Sequence, residues 1–182
     1  AYDDFSTPTD CRNARIIANG QVLYVNPGWL AELSPFFEKK FFIDDSNELV
    51  LNADITYEEM LELMRVVFYC PTRKPITVSN VAMIMYLADR FKMRPVLNRC
   101  EDIIARKVDT LDMSRLSEVA RVLSKCGRNS PTMTLLVDKL SKMSENELSM
   151  FQFSQMPGDV VADVYETKIR RNKMKSQRRC FM

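Results

Sequence analysis

Catalysis and metal binding draw on a short list of side chains, and this 182-residue chain is poor in them. Histidine is absent. That removes a Ser-His or Cys-His nucleophile pair, an imidazole general base and any His-containing metal site. The five cysteines, Cys11, Cys70, Cys100, Cys126 and Cys180, stand far apart with no CxxC pair, so neither a zinc site nor a disulfide framework is indicated. They read as reduced thiols of an intracellular protein, cytoplasmic or nuclear. Four scattered glycines build no phosphate-cradling loop. No pair of acids stands in an apolar setting that would raise a carboxyl pKa. The expectation is a chain with no catalytic residues, no cofactor and no metal.

What the chain has instead is apolar surface. Val25 to Phe42 reads VNPGWLAELSPFFEKKFF, and two helix openings lie inside it, Asn26-Pro27 and Ser34-Pro35. Each places an acceptor side chain at the N-cap and a proline at the first helical position, where its missing N–H costs nothing. The first helix carries Trp29, the one tryptophan, with Leu30 and Leu33; the second carries Phe36, Phe37, Phe41 and Phe42. That is more apolar area than two short helices normally bury in their own domain. Trp29 reads either as core or as the centre of a contact with another molecule.

The elements around this stretch follow from local signals. Residues 1–12 are polar apart from Tyr2 and Phe5 and read as flexible. Ala14 to Val25 (ARIIANGQVLYV) holds two apolar runs joined by Asn19-Gly20, the signal of a type I′ hairpin. A loop at 44–47 precedes a third short strand, Glu48 to Leu51. Thr56 to Glu59 (TYEE) is a capping box opening a helix that stops before Pro71. A two-proline loop at 70–76 leads to helices starting near Thr77 or Ser79 and at Pro95.

After Asp112 only helices are expected. Asp112 caps the first, and Gly127 ends it in a left-handed stop conformation. Ser130-Pro131 opens the second, a Ser144/Glu147 capping box opens a short third through Phe151, and Pro157 opens the last, through Lys173. Short joins imply antiparallel pairs. Composition shifts near Val108, where a subdomain boundary is placed. The twelve methionines lie mostly in helical segments and read as core filler. No run is long enough to span a membrane, and no signal peptide is visible. The chain begins at Ala rather than Met, which implies a fragment with a domain upstream.

Charge is divided along the chain. Lys168 to Arg179 (KIRRNKMKSQRR) holds seven basic residues and no acid, leaving 19 Lys and Arg against 24 Asp and Glu elsewhere. Such a run can bind nucleic acid, direct nuclear import or be the solvated end of a helix. The solvated end is the expectation, and no nucleic acid or membrane partner is expected. Cys180-Phe181-Met182 is one residue short of a prenylation box.

The order of elements and the residues that mark them resemble the BTB/POZ domain family. Its signature, F-x-V-H-x-x-x-L-x-x-x-S-x-x-F after a hairpin, appears as Leu23-Tyr24-Val25-Asn26, then Leu30, Ser34 and Phe37. Phe68-Tyr69, Leu87-Ala88-Asp89 with Phe91, and Cys100-Glu101 with Ile104 continue it at the family's spacing. The resemblance implies an α+β fold, a small β-sheet flanked by helices, over 13–107. Residues 108–172 then resemble the 3-box and shortened BACK helices of MATH-BTB proteins, with a basic tail at 173–182. It further implies a homodimer with Phe5, Val25, Trp29, Leu30 and Leu33 at the shared face. A cullin scaffold would dock at Phe42, Ile43, Asp44, Asp45 and Tyr69, where related adaptors carry a hydrophobic-x-Glu motif. The implied function is a substrate adaptor of a cullin-RING (cullin-3 type) ubiquitin ligase, holding its target through an upstream, MATH-like domain. The alternative is an oligomerisation and co-repressor-recruiting module of a nuclear regulator. Asn13 and Asn26, where the family has Asp and His, neutralise the pocket that co-repressors use and count against it. Cys70-Pro71 replaces the family's glycine after the F-Y segment.

Overall fold

The computed structural model describes every residue except Cys70, Phe151 and Met182. The chain divides into two compact units, Ala1–Cys100 and Glu101–Met182, the division falling inside one helix.

The first unit is built on a three-stranded sheet, in the order β2-β1-β3. Strands β1 (Ala14–Ala18) and β2 (Gln21–Val25) pair antiparallel with Ala18 opposite Gln21. Asn19 and Gly20 between them both have positive φ (50° and 77°), the type I′ geometry that matches strand twist. Strand β3 (Glu48–Val50) adds parallel to β1, Arg15 opposite Glu48, and their side chains form an ion pair. Helices α1 (Pro27–Leu33) and α2 (Pro35–Glu38) lie between β2 and β3 in the chain. Both open as expected: Asn26 Oδ1 accepts from Trp29 N, and Ser34 Oγ accepts from Phe37 N.

The signature residues form the spine of the core. Leu23, Val25, Leu30, Ser34 and Phe37 are all buried. Ser34 needs a hydroxyl because it serves twice, accepting at the start of α2 and donating to Phe91 O. Phe36, Phe37, Phe41 and Phe91 close ring on ring, with centroids 5.2–5.8 Å apart. Helices α3 (Tyr57–Val67), α4 (Val81–Arg90) and α5 (Arg94–Lys107) complete the helical layer.

Several local expectations are corrected. Residues 1–12 are not loose: Phe5 is 1% exposed, its ring 5.6 Å from that of Phe68 and under the Arg12 guanidinium. Its carbonyl accepts from Tyr24 N, and Asp3 O accepts from Arg65 Nε. The Thr56 box is half made. Thr56 Oγ1 accepts from Glu59 N, but the Glu59 carboxylate accepts from the Thr56 hydroxyl rather than from a backbone N–H. Helix α4 starts at Val81, because Asn80 Oδ1 instead accepts from Thr77 N and closes a turn there.

In the second unit a 3₁₀ turn (Val108–Thr110) leads to α6 (Met113–Cys126), α7 (Pro131–Ser141), α8 (Glu145–Met150) and α9 (Gly158–Cys180). Asp112 and Ser130 cap as expected, and Ser144 and Glu147 form a full reciprocal box. Gly127 does not adopt the left-handed stop: its φ is −150°. A Cβ there would meet Leu123 Cδ2 at 3.0 Å and Ser130 Oγ at 3.3 Å, so any larger residue would have to displace those side chains. The expected end of α8 at Phe151 lies outside the described residues. Helix α9, 23 residues long, runs on through the basic tail to Cys180 and is exposed from Asn172 onward. Among the described residues no helix is long and apolar enough to cross a membrane, and no cluster of three His, Cys, Asp or Glu could hold a metal.

Candidate protein-interaction surface

A helix ends with carbonyls that have no partner inside it. At the C-terminal end of α3 two of these are taken by side chains from other elements. Trp29 Nε1 of α1 donates to Val67 O at 3.0 Å, and Arg99 Nη1 of α5 donates to Val66 O at 3.0 Å. The bond orients the indole but leaves Trp29 38% exposed. It is therefore a fixed, partly bare aromatic, the form in which Trp contributes most at an interface.

The other residues expected on the shared face stand differently. Phe5, Val25 and Leu30 are buried within the chain. Leu33 is half-buried. Alternation explains this: Val25 points to the core side of the sheet with Leu23, and Leu30 faces the spine while Trp29 turns away.

The second expected patch is shaped by a π-helical turn, Lys39–Ile43, which follows α2 directly. The wider turn keeps Phe41 stacked on Phe37 and buried, and turns Phe42 and Ile43 outward at 56% and 70% exposure. Asp44 N caps the turn on Lys39 O, and the Asp44 carboxylate pairs with Lys39 Nζ at 3.0 Å. Asp45, exposed, has a φ of 51°, so the chain reverses there before β3. The acidic pair is thus solvated, with one charge already matched.

Tyr69, two residues past α3, is 68% exposed, and the Arg73 guanidinium carbon stands 4.4 Å from its ring centroid. The loop carrying Arg73 is pinned. Lys74 N donates to Arg65 O, Lys74 Nζ pairs with Glu62 at 2.7 Å, and Asn80 Nδ2 donates to Glu62 and to Pro75 O. Burial pushes the Glu62 carboxyl up, but the bonds from Lys74 and Asn80 outweigh it and hold it below its usual range. Arg99 is shifted down, first by burial and then by the charge of Arg73. Trp29 and Arg99 therefore both bond the end of α3, and Tyr69, with Arg73 against its ring, follows it in the chain.

Neither arginine is visible as a site residue in the sequence. Arg73 lies in a short basic loop and Arg99 on a helix, where both read as solvated cations. Only the place of Arg73 over the Tyr69 ring and the bond from Arg99 to Val66 O, thirty-three positions away, distinguish them. What the arrangement offers is a set of rigid apolar and cationic groups at the surface.

Comparison with known proteins agrees with this. The model of the BTB/POZ domain matches residues 3–108. The chain is 42% identical over 187 residues to Cytokinesis defective protein 7 of Caenorhabditis elegans, covering 98% of this chain and 70% of that protein. It is 30% identical over 137 residues to BTB and MATH domain-containing protein 38 of the same organism, covering 70% of this chain and 35% of that one. BTB and MATH domain-containing protein 36 is 30% identical over 112 residues, 59% of this chain and 34% of that protein. The chain thus spans about a third of the two BTB and MATH proteins. A buried signature spine, a matching family model and a relative along nearly the whole length place this chain in the BTB/POZ domain family, a family of protein-interaction modules.

Proposed function

We propose that the chain is the dimerising and docking part of a substrate adaptor for a cullin-RING ubiquitin ligase of the cullin-3 type. It acts inside the cell and performs no catalysis of its own. The observation that carries the reading is the set of exposed large side chains on a rigid first unit: Trp29 on α1, Phe42 and Ile43 on the π turn, and Tyr69 after α3. Two copies meeting across α1 would bury the part of Trp29 that is still exposed, 38%, once per subunit, each contributing a fraction of the about 1.5–3 kcal/mol that full burial of a large apolar side chain gains. The π turn and Tyr69 would receive the scaffold. The similarity to two BTB and MATH proteins supports a target-holding domain elsewhere in the same polypeptide. The relative named for a cytokinesis defect makes cell division the setting in which to look for the target.

The test has two parts. Trp29→Asp is expected to leave helix content unchanged by circular dichroism and to convert a dimer to a monomer in sedimentation equilibrium. Phe42→Ala combined with Tyr69→Ala is expected to abolish pull-down of the purified cullin N-terminal region while leaving the dimer intact. A wild-type monomer, or pull-down unaffected by the double substitution, removes the corresponding half of the reading.

A further inference from the structure

Helix α9 changes character along one side. At about 100° per residue, the face that carries the buried Val160 and Val164 continues through Lys168, Arg171, Lys175, Arg178 and Arg179. These five fall within an arc of about 100°, and from Tyr165 to Cys180 no other residue does. The first part of this face packs on α7. Arg171 still reaches Asp138 there, and Lys168 Nζ donates to Met143 O just past the end of α7. Farther on, Lys175, Arg178 and Arg179 are exposed and make no ion pair among the described residues. Arg170, paired with Glu166, and Lys173 lie off the stripe.

Like charges three and four positions apart repel and weaken the helix that holds them. Spreading them around the axis would relieve this, and so would an anion laid along the stripe. At its root the stripe opens into a cleft of about 510 Å³ lined by Lys142, Lys168, Arg171 and Lys175. Glu145 and Glu147 line it too, but both are engaged, with Lys168 and with Ser144 N. Beyond Val164 the stripe has no apolar residue, so an acidic protein would find nothing to bury and would rely on exposed ion pairs, which stabilise little. A nucleic acid differs, because each cation that meets a phosphate releases a condensed counterion. A flat membrane would not reach charges recessed in the cleft. Single strands are held on aromatic platforms, and the stripe has none, which favours a duplex.

We propose that this side of α9 binds the phosphate backbone of a double-stranded nucleic acid without regard to base sequence. This departs from the expectation that the basic run is only a solvated helix end, and it is independent of the adaptor reading.

The experiment measures fluorescence anisotropy of a short labelled DNA duplex with the full chain, K175E/R178E and R170E/K173E, over a range of salt. The two variants change net charge equally, one on the stripe and one off it. Circular dichroism checks that helix content is equal in all three. The wild type is expected to bind at low salt and to weaken steeply as salt rises. K175E/R178E is expected to lose about tenfold or more in affinity and to flatten the log–log salt slope by about two. R170E/K173E is expected to lose about threefold or less, and both variants to keep the dimer and cullin pull-down of the wild type. Equal losses from the two variants overturn the stripe, since net charge alone would then explain binding. No wild-type binding at low salt overturns it outright. Polyglutamate or phosphatidylserine vesicles bound as tightly as the duplex overturn it in favour of an acidic protein or a membrane. A single strand bound more tightly than the duplex overturns the choice of a double-stranded partner.

Discussion

Both units bury an apolar core, around Phe37 and Ile84 in the first and around Leu116, Leu136 and Val160 in the second, but they differ in what surrounds it. In the first, Phe37, Phe41, Phe91 and the signature spine are sealed from water, with Phe36 half-buried beside them, and charged side chains act mainly at the rim. In the second, charged side chains stitch one helix to the next. Arg128 reaches Asp159 and Asp163 of α9, Arg171 reaches Asp138 of α7, and Lys139 Nζ donates to Val108 O. Lys168 Nζ donates to Met143 O, a carbonyl beyond the end of α7. Exposed aromatics backed by a stiff apolar core keep their geometry without a partner, so little ordering is needed on binding. The charges of α9 are in part occupied within the chain, which is why a run of seven basic residues is a weaker docking signal than its composition implies.

Phe37→Ala is the most severe way to test this contrast. It removes the ring at the centre of the first unit's cluster and is expected to cost about 3–5 kcal/mol, read by urea denaturation and by faster amide exchange across β1, β2 and α1. In the second unit Arg128→Ala is expected to cost about 1 kcal/mol or less, since its partners are substantially solvated. That loss should shrink further when the same denaturation is run in high salt. Equal losses from the two substitutions would erase the distinction drawn here.

Acid gives a finer comparison. The hydrogen bond from Lys142 is the largest cause holding Asp138 below the usual carboxylate range, with the Arg171 charge adding to it against the effect of burial. Glu62 is lowered in the first unit by Lys74 and Asn80 against a larger single effect of burial. A carboxylate whose folded pKa is depressed stabilises above its unfolded value, about 3.9 for Asp and 4.3 for Glu, and that contribution is lost as pH falls through the folded value. Both units should therefore soften only below about pH 4. Asp138→Asn should remove part of the loss in α7 and α9, and Glu62→Gln part of it in the loop that carries Arg73, each read by amide exchange.

Features set by neighbours in sequence were legible. Asn26, Ser34, Asp112, Ser130 and Ser144 all cap where a polar side chain precedes a helix, because the cap and its N–H lie three residues apart. Features set by distant contacts were not. The pocket for Phe5 is assembled from Phe68 and Arg12 and from the pairing with Tyr24, so the N-terminal segment read as loose. Gly127 was identified as a helix stop for the wrong reason: its backbone is not left-handed, and what a Cβ would meet there is tight packing on Leu123. At the candidate surface, Trp29 stood out by rarity and Phe42 by motif. The roles of Arg73 and Arg99 depend on where α3 ends in space, which no local pattern encodes.

The π turn at Lys39–Ile43 has a consequence for how this surface could change. Such a turn holds one residue more than an α-helical turn would, and each helical residue advances the chain by about 100°. Deleting a single position there would swing the following side chains around the axis, drawing Phe42 inward and pushing its neighbours out. A one-codon insertion or deletion could thus redirect what the domain grips while its core stays as it is.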